Sequence, residues 1–441
     1  MSLRQGSHVF IIIGRLDAAT EIMVKEGGAL TDRPRSVAFG EILSNDMRLL
    51  VIRSGERFRR LRKVVHTHLQ PKAAEEYQGM QRNAARDVIL DILNDPRHHV
   101  RHAQRYAFSV ILRLLYGKST PTSHDDPEVI RICETVINLQ AICPRIRKSP
   151  QEYHESELAL FREQLDRVRD DMSRSAAGPS FCRTLLERNG EHRLSNDEMA
   201  YLAGGLFGAG ADTTVASITT LIMTAACHPE AQARVQEIDT VVGKGRAPTF
   251  EDWNQLPQLH AFISETLRWT PTAPIGFPHR ATKDIIWRGQ CIPAGATVLG
   301  CHWAISRDPV AFPDPETFDP QRWLDPNGQL RTDMRFYTFG FGRRACPGLH
   351  VANRSLYINL ALLLWSFRIM ERPDARIDVN AFTDSVISRP VPFEVDFVPR
   401  MGEEWLRVML KEGTCIDDVQ VHVLIKKFTM QYPGVQREMA V

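Results

Sequence analysis

The 441-residue chain has no Cys-x-x-Cys pair: its eight cysteines stand apart at 133, 143, 182, 227, 291, 301, 346 and 415. That spacing argues against zinc-ligand patterns and a disulfide framework, and predicts reduced thiols in an intracellular protein. Charge of one sign is not in excess either. The 55 Lys and Arg against 53 Asp and Glu leave +2, which speaks against a nucleic-acid binder, although clustered arginines can still form a local docking patch. No run approaches the roughly 18 to 20 apolar residues of a membrane span. The longest near the start, Val9 to Ile13, has strand length. What remains is globular: 43% hydrophobic and 24% charged residues, in a chain long enough for one large domain or two to three ordinary ones.

The most informative stretch is Phe339-Gly340-Phe341-Gly342-Arg343-Arg344-Ala345-Cys346-Pro347-Gly348, which sets one thiol among glycines before a helix-like apolar run from Leu349 to Ile369. A sulfur there lies near unpaired backbone N–H groups and the positive end of a helix dipole, which favour a thiolate, a metal ligand or a nucleophile. A lone cysteine is usually a small buried hydrophobe. Gly340 to Ala345 also fits a G-x-G-x-x-G/A dinucleotide loop, but that motif needs an acid about 20 residues on, and none occurs between Gly342 and Glu371.

The filled pattern F-x-x-G-x-R-x-C-x-G, with Phe339, Gly342, Arg344, Cys346 and Gly348, resembles the haem-binding signature of the cytochrome P450 family. The resemblance implies a mainly α fold with a small β portion around haem b (heme b). Cys346 would be the axial ligand, Phe339 a shield over its sulfur, and Arg344 a partner of a haem propionate. Three further motifs follow the family's order. Ser195 with Glu198 makes a capping box, and the helix it opens runs to about Cys227 with glycines at 204, 205, 208 and 210 inside it. Each costs roughly 1 kcal/mol against alanine, so something needs the room: another helix packed close, or a flat ligand. Ala209 to Thr214 resembles the family's oxygen-activation motif, which implies proton delivery by Asp212 and Thr213. Glu265-Thr266-Leu267-Arg268 is an E-x-x-R pair on one helix face. Its place before Phe318 to Trp323 implies a structural triad with Arg322.

Gly55 to Lys63 opens a basic helix, either a solvated face or the family's W-x-x-x-R segment. Phe58 stands where tryptophan is usual and lacks its N–H donor, whereas Arg62 matches and would meet a propionate. Arg59, Arg60 and Lys63 would face an acidic electron-transfer partner. Three prolines in Pro271 to Arg280 rule out helix. By resemblance, Ala273, Ile275 and Phe277 line the substrate pocket with Phe207, and His279 reaches a propionate. A hairpin from Ser385 to Val398 adds Val386 at its tip. Helices are expected at Ala73–Leu93, His102–Tyr116, 127–142 and Gln151–Ser175, a loop over the haem at Ser36–Ile52, and His98 and His99 at the surface.

The resemblance covers about residues 8 to 400 as a single catalytic domain, 1–400, and leaves 401–441 unassigned. It implies a monooxygenase inserting one oxygen atom from O2 into a lipophilic small molecule, in fungal secondary metabolism or xenobiotic oxidation. Electrons would come from NADPH-cytochrome P450 reductase, at the surface of the endoplasmic reticulum. The family's N-terminal anchor is expected to be missing, and membrane association would then need other contacts. Two alternatives stay open: a reductase-independent haem-thiolate isomerase or dehydratase, and an inactive remnant.

Overall fold

Ser195 starts the central element by satisfying both ends of a capping box: its Oγ accepts the Glu198 N–H at 3.1 Å, and Glu198 Oε2 accepts the Ser195 N–H at 3.1 Å. The helix it opens, Asn196–Cys227, is the longest of a computed structural model that describes residues 1–118, 149–335 and 337–411. By length and composition this helix is apolar enough to cross a membrane, contrary to the sequence expectation, but 61% of its apolar window is buried among other helices. That is the setting of a core helix.

Numbering the longer helices in chain order gives α1 Glu56–Leu69, α2 Gln78–Asn94, α3 His99–Tyr116, α4 Pro150–Ser173, α5 Asn196–Cys227, α6 Pro257–Trp269, α7 Leu349–Ser366 and α8 Glu403–Lys411. The largest core cluster joins α2, α3, α5, α6 and α7, and every residue of α7 from Ser355 to Ser366 is buried. In the small β portion a four-stranded sheet and the hairpin at 285–292 pack in a cluster of their own, whereas Phe367, Ile369 and Val395 join the main core. Strands β1 Ser2–Gln5, β2 His8–Ile13, β3 His279–Arg280 and β6 Thr297–Gly300 make one sheet in the order β1-β2-β6-β3. In it β2 runs parallel to β6 with Phe10 opposite Thr297, and β3 runs antiparallel to β6. Strands β4 Ile285–Trp287 and β5 Gln290–Ile292 form a hairpin, and β7 Phe367–Glu371 pairs antiparallel with β8 Val395–Pro399.

Several sequence expectations are corrected. The run after Cys346 leaves the helix at Ser366, because Phe367 and Ile369 alternate inward as strand residues paired with Pro399 and Phe397. Strand β8 therefore pairs with β7, not within a 385–398 hairpin; a Phe382–Pro390 bridge instead closes the turn that carries Val386. The 36–52 segment is no simple loop, since Val37–Leu43 is π-helical. It is anchored by Arg48, whose Nη2 donates to Glu157 Oε1 at 2.6 Å, and Tyr201 donates to the other Glu157 oxygen. His98 is exposed, but His99 is buried against Phe393 and Phe397, ring centroids 5.0 and 5.8 Å away. Part of the 401–441 stretch joins the core: α8 buries Leu406, Met409 and Leu410. The helix expected at 127–142 and everything beyond 411 lie outside the described residues.

Gly204 marks where α4 crosses α5. A Cβ there would lie 2.3 Å from ring carbons of Phe161, whose ring is itself wedged edge-on against Tyr201 at 5.4 Å. Gly204→Ala gains about 1 kcal/mol of helix propensity but forces α4 outward, an overpacking cost of about 1–3 kcal/mol. The expected outcome is a lower melting temperature, read by circular dichroism.

Candidate active site

The thiol loop is built by its glycines. Gly342 sits at φ +52°, a left-handed conformation, and a Cβ on it would approach the Met23 carbonyl oxygen to 3.1 Å. The turn then closes with the Cys346 N–H donating to the Phe339 carbonyl at 2.7 Å. Phe339 is half-buried against the main core cluster, whereas Phe341 is the fully buried aromatic of the loop. Gly348 is the N-cap residue of α7, and its N–H is hydrogen-bonded to the Cys346 thiol. Burial pushes that thiol up; the Gly348 N–H and the Arg62 charge pull it down.

A buried set of cations surrounds the loop. Arg62 donates to the Ala345 carbonyl at 2.5 Å. Arg344 stacks its guanidinium 3.5 Å above the Phe58 ring, so the residue that replaces the usual tryptophan serves as a cation–π platform. Arg344 also donates to the carbonyls of Thr31 (2.7 Å), Leu49 (3.3 Å) and Ile52 (2.8 Å). Three of its five N–H groups are thereby used and two remain for an anion. Arg33, which the sequence reading did not single out, is equally buried and donates to the carbonyls of Leu50 (3.0 Å) and Pro278 (2.6 Å). Burial lowers Arg33 to about 10 and, with the Arg33 charge, Arg344 to about 9. His279 is lowered to about 3, first by burial and then by Arg33. Its Nδ1 bonds the Leu30 carbonyl at 2.6 Å, so a neutral ring presents only an acceptor at Nε2. An anionic group beside Nε2 would favour the second proton that lets it donate.

The opposite wall is the middle of α5. Residues 198–204 and 215–226 are buried, but Gly205, Ala209 and Thr213, spaced i, i+4, i+8 on one face, are half-exposed or exposed. Thr213 Oγ1 donates to the Ala209 carbonyl at 2.7 Å. Asp212 forms an ion pair with Arg389, another residue the sequence reading missed. Phe207 is corrected: it is buried in the core and stacked on Phe108 at 5.9 Å, on the far side of α5 from the open row. The 272–280 segment and the 383–389 turn lie beside α5, tied together by the Ser388 N–H donating to the Thr272 carbonyl at 2.9 Å, with the Thr272 hydroxyl 3.1 Å from that of Ser217. Along them Ile275 is 63% and Val386 56% exposed. Ala273 and Phe277 are half-buried, with carbonyls that accept from His302 (3.0 Å) and Arg33 (3.3 Å).

Beneath this wall the three charges of the E-x-x-R segment and the later loop do meet. Glu265 Oε1 accepts from Arg268 (2.7 Å), Arg322 (3.0 Å) and the Asp319 N–H (2.9 Å), and Oε2 from Arg268 (2.8 Å) and Trp323 (2.9 Å). The tryptophan and the amide are additions that the sequence did not indicate. On the basic helix, Arg57 and Arg60 are spent on Glu198 at 2.9 and 3.0 Å. Arg59 and Lys63 remain exposed, so Arg60 leaves the expected docking set.

The arrangement fits haem: one sulfur held by an N–H bond, an open small-residue helix face, and buried cations bonded to carbonyls. These are the parts of a haem-thiolate enzyme. The comparisons with known proteins agree, and the chain belongs to the cytochrome P450 family, whose model matches residues 1–397. It is 46% identical to cytochrome P450 monooxygenase 64 of Postia placenta over 91% of this chain and 85% of that one. With a cytochrome P450 monooxygenase of Armillaria gallica it shares 33% identity over 89% and 82%. A solved zebra fish cytochrome P450, described with progesterone, superposes with a TM-score of 0.79 over 90% of this chain and 96% of that one, at 24% identity. The protein is therefore a haem-dependent monooxygenase that takes its electrons from a redox partner and acts on lipophilic substrates. These relatives lend nothing to the isomerase or dehydratase alternative, nor to an inactive remnant.

Proposed function

We propose that Cys346 is the axial ligand of haem b and that the cleft between its loop and α5 hydroxylates a lipophilic small molecule of fungal secondary metabolism or a xenobiotic. The carrying observation is the Cys346 sulfur, hydrogen-bonded by Gly348 and faced by Arg62. When bound, a thiolate-ligated haem supplies the activation of O2 and of the substrate C–H bond. This chain's residues do the rest. The Gly348 N–H and Arg62 hold the sulfur's negative charge. Arg62, Arg344 and His279, joined by Arg33, take the propionates. Asp212 and Thr213 would carry protons in from solvent, the Thr213 hydroxyl leaving its bond to the Ala209 carbonyl to do so. Ala273, Ile275, Phe277 and Val386 offer substrate an apolar wall. Arg268 and Arg322, paired to Glu265, hold the scaffold. The electron donor in this reading is NADPH-cytochrome P450 reductase, met partly by exposed Arg59 and Lys63, at the endoplasmic reticulum surface.

The test is spectroscopic. The purified, haem-loaded chain, reduced under carbon monoxide, is expected to give the red-shifted absorbance band of thiolate ligation and to oxidise NADPH only with the reductase present. A histidine-type spectrum, or turnover of peroxides without reductase, would contradict the reading.

A further inference from the structure

Arg389 stands on the turn closed by the Phe382–Pro390 bridge and reaches 177 residues back to donate to Asp212 Oδ1 on α5. The two side chains are only 25% and 10% exposed, so each charge is partly stripped of water beside the other. The turn itself does not need this pair. Its backbone is fixed by the Thr383 N–H on the Arg389 carbonyl (2.9 Å), the Arg389 N–H on Thr383 Oγ1 (3.2 Å) and the Ser388 N–H on the Thr272 carbonyl (2.9 Å). Thr272 in turn meets Ser217 of α5 at 3.1 Å, hydroxyl to hydroxyl. The consequence of the ion pair therefore falls on the carboxylate. It is paired with the guanidinium, aimed at the turn, and joined to the segment that carries the exposed Val386. The neighbouring Thr213 hydroxyl is meanwhile committed to the Ala209 carbonyl.

We propose that Arg389 is a positioning residue for proton delivery, holding the Asp212 carboxylate at the cleft wall and coupling its placement to the substrate-facing 383–389 turn. A substrate that presses on Val386 shifts Arg389 and, through it, the acid. This rests on the relay reading of Asp212, and the experiment separates the two. Peroxide released per NADPH oxidised is measured on the haem-loaded full chain with reductase and naphthalene as the lipophilic probe, for the parent, Asp212→Asn, Arg389→Gln, Arg389→Lys and the Asn/Gln double variant. Melting temperatures are taken in parallel.

Arg389→Gln is expected to raise the peroxide ratio at least about threefold, as Asp212→Asn does, with little further rise in the double variant, and Arg389→Lys is expected to restore most of the parent value. Arg389→Gln also removes the cation beside a poorly hydrated carboxylate, so the double variant should recover at least half of the melting loss. An unchanged ratio in Arg389→Gln with the thiolate spectrum intact, or melting losses that simply add, overturns the proposal. If Asp212→Asn alone leaves the ratio at the parent value, the relay reading falls and this proposal with it. Should Arg389→Gln fail to retain haem, a double variant that retains it supports the pairing, and one that also fails overturns it.

Discussion

Replacing Glu265 with alanine is expected to cost about 3–5 kcal/mol of stability and to leave little haem-bound protein. Glu265 is fully buried and receives five hydrogen bonds, three from arginine N–H groups, one from the Trp323 indole and one from the Asp319 amide. Arg268 is equally buried, and Arg322 is nearly so. Removing the one carboxylate thus strands two guanidinium groups in a dry setting, because their remaining partners, the carbonyls of Ser306, Pro313, Pro315 and Thr317, carry no net charge. Domains are stable by only about 5–15 kcal/mol, so a loss of this size removes a large share. Arg322→Met is the informative companion. It deletes one cation yet leaves the Glu265–Arg268 pair intact, so its cost is expected to be smaller by half or more. Thermal melting and the haem-to-protein absorbance ratio check both. Equal losses in the two variants would show that the network does not centre on the carboxylate.

What the sequence disclosed of this site follows how local each piece is. The Cys346 loop was readable because its turn, its sulfur and its N-cap amide lie within ten consecutive residues, and glycine at left-handed φ leaves few alternatives there. The Ser195 capping box was readable for the same reason. Glu265 and Arg268 share one helix face, and only order along the chain selected them. Arg33 and Arg389 were not readable, because Pro278 and Asp212, which they bond, lie 245 and 177 residues away and no periodicity links such positions. Phe207 and His99 are different, since helical phase carried the answer. Phe207 lies two residues from both Gly205 and Ala209, about 200° round α5 from the open row. His99 shares a face with His102 and Tyr106, both buried. The π-helical Val37–Leu43 is imposed from outside, by the buried Arg48–Glu157–Tyr201 contacts, and no local pattern announces it.

Cys346→Ser is expected to abolish the thiolate spectrum and to lower NADPH-dependent oxidation by at least about 10³-fold, since removing mere outer partners of a ligand already costs about 10–100-fold. The argument starts from what serine keeps. Its hydroxyl fits the loop without steric cost, accepts the same Gly348 N–H, and leaves the bond from the residue 346 amide to Phe339 in place. The fold, resting on α5, α7 and the Glu265 network, should melt within a few degrees of the parent. What serine loses is the anion. A thiol ordinarily ionises near pH 8.5, and although burial pushes this one up, the Gly348 N–H and the Arg62 charge offset part of that rise, whereas an alcohol does not ionise at any working pH. Arg62 then faces a neutral oxygen, and the iron loses the electron-donating sulfur on which the chemistry depends. The cationic set of Arg33, Arg62 and Arg344 is untouched, so the variant is expected to retain some haem through its propionates while doing no oxidation. Retained haem with a changed carbon monoxide band would locate the chemistry in the sulfur and the affinity partly in the arginines. Parent-level oxidation by the serine variant would show that another residue holds the iron. The described residues offer only Cys182, Cys227, Cys291 and Cys301 as other free thiols, and none stands in the Phe339–Gly348 loop.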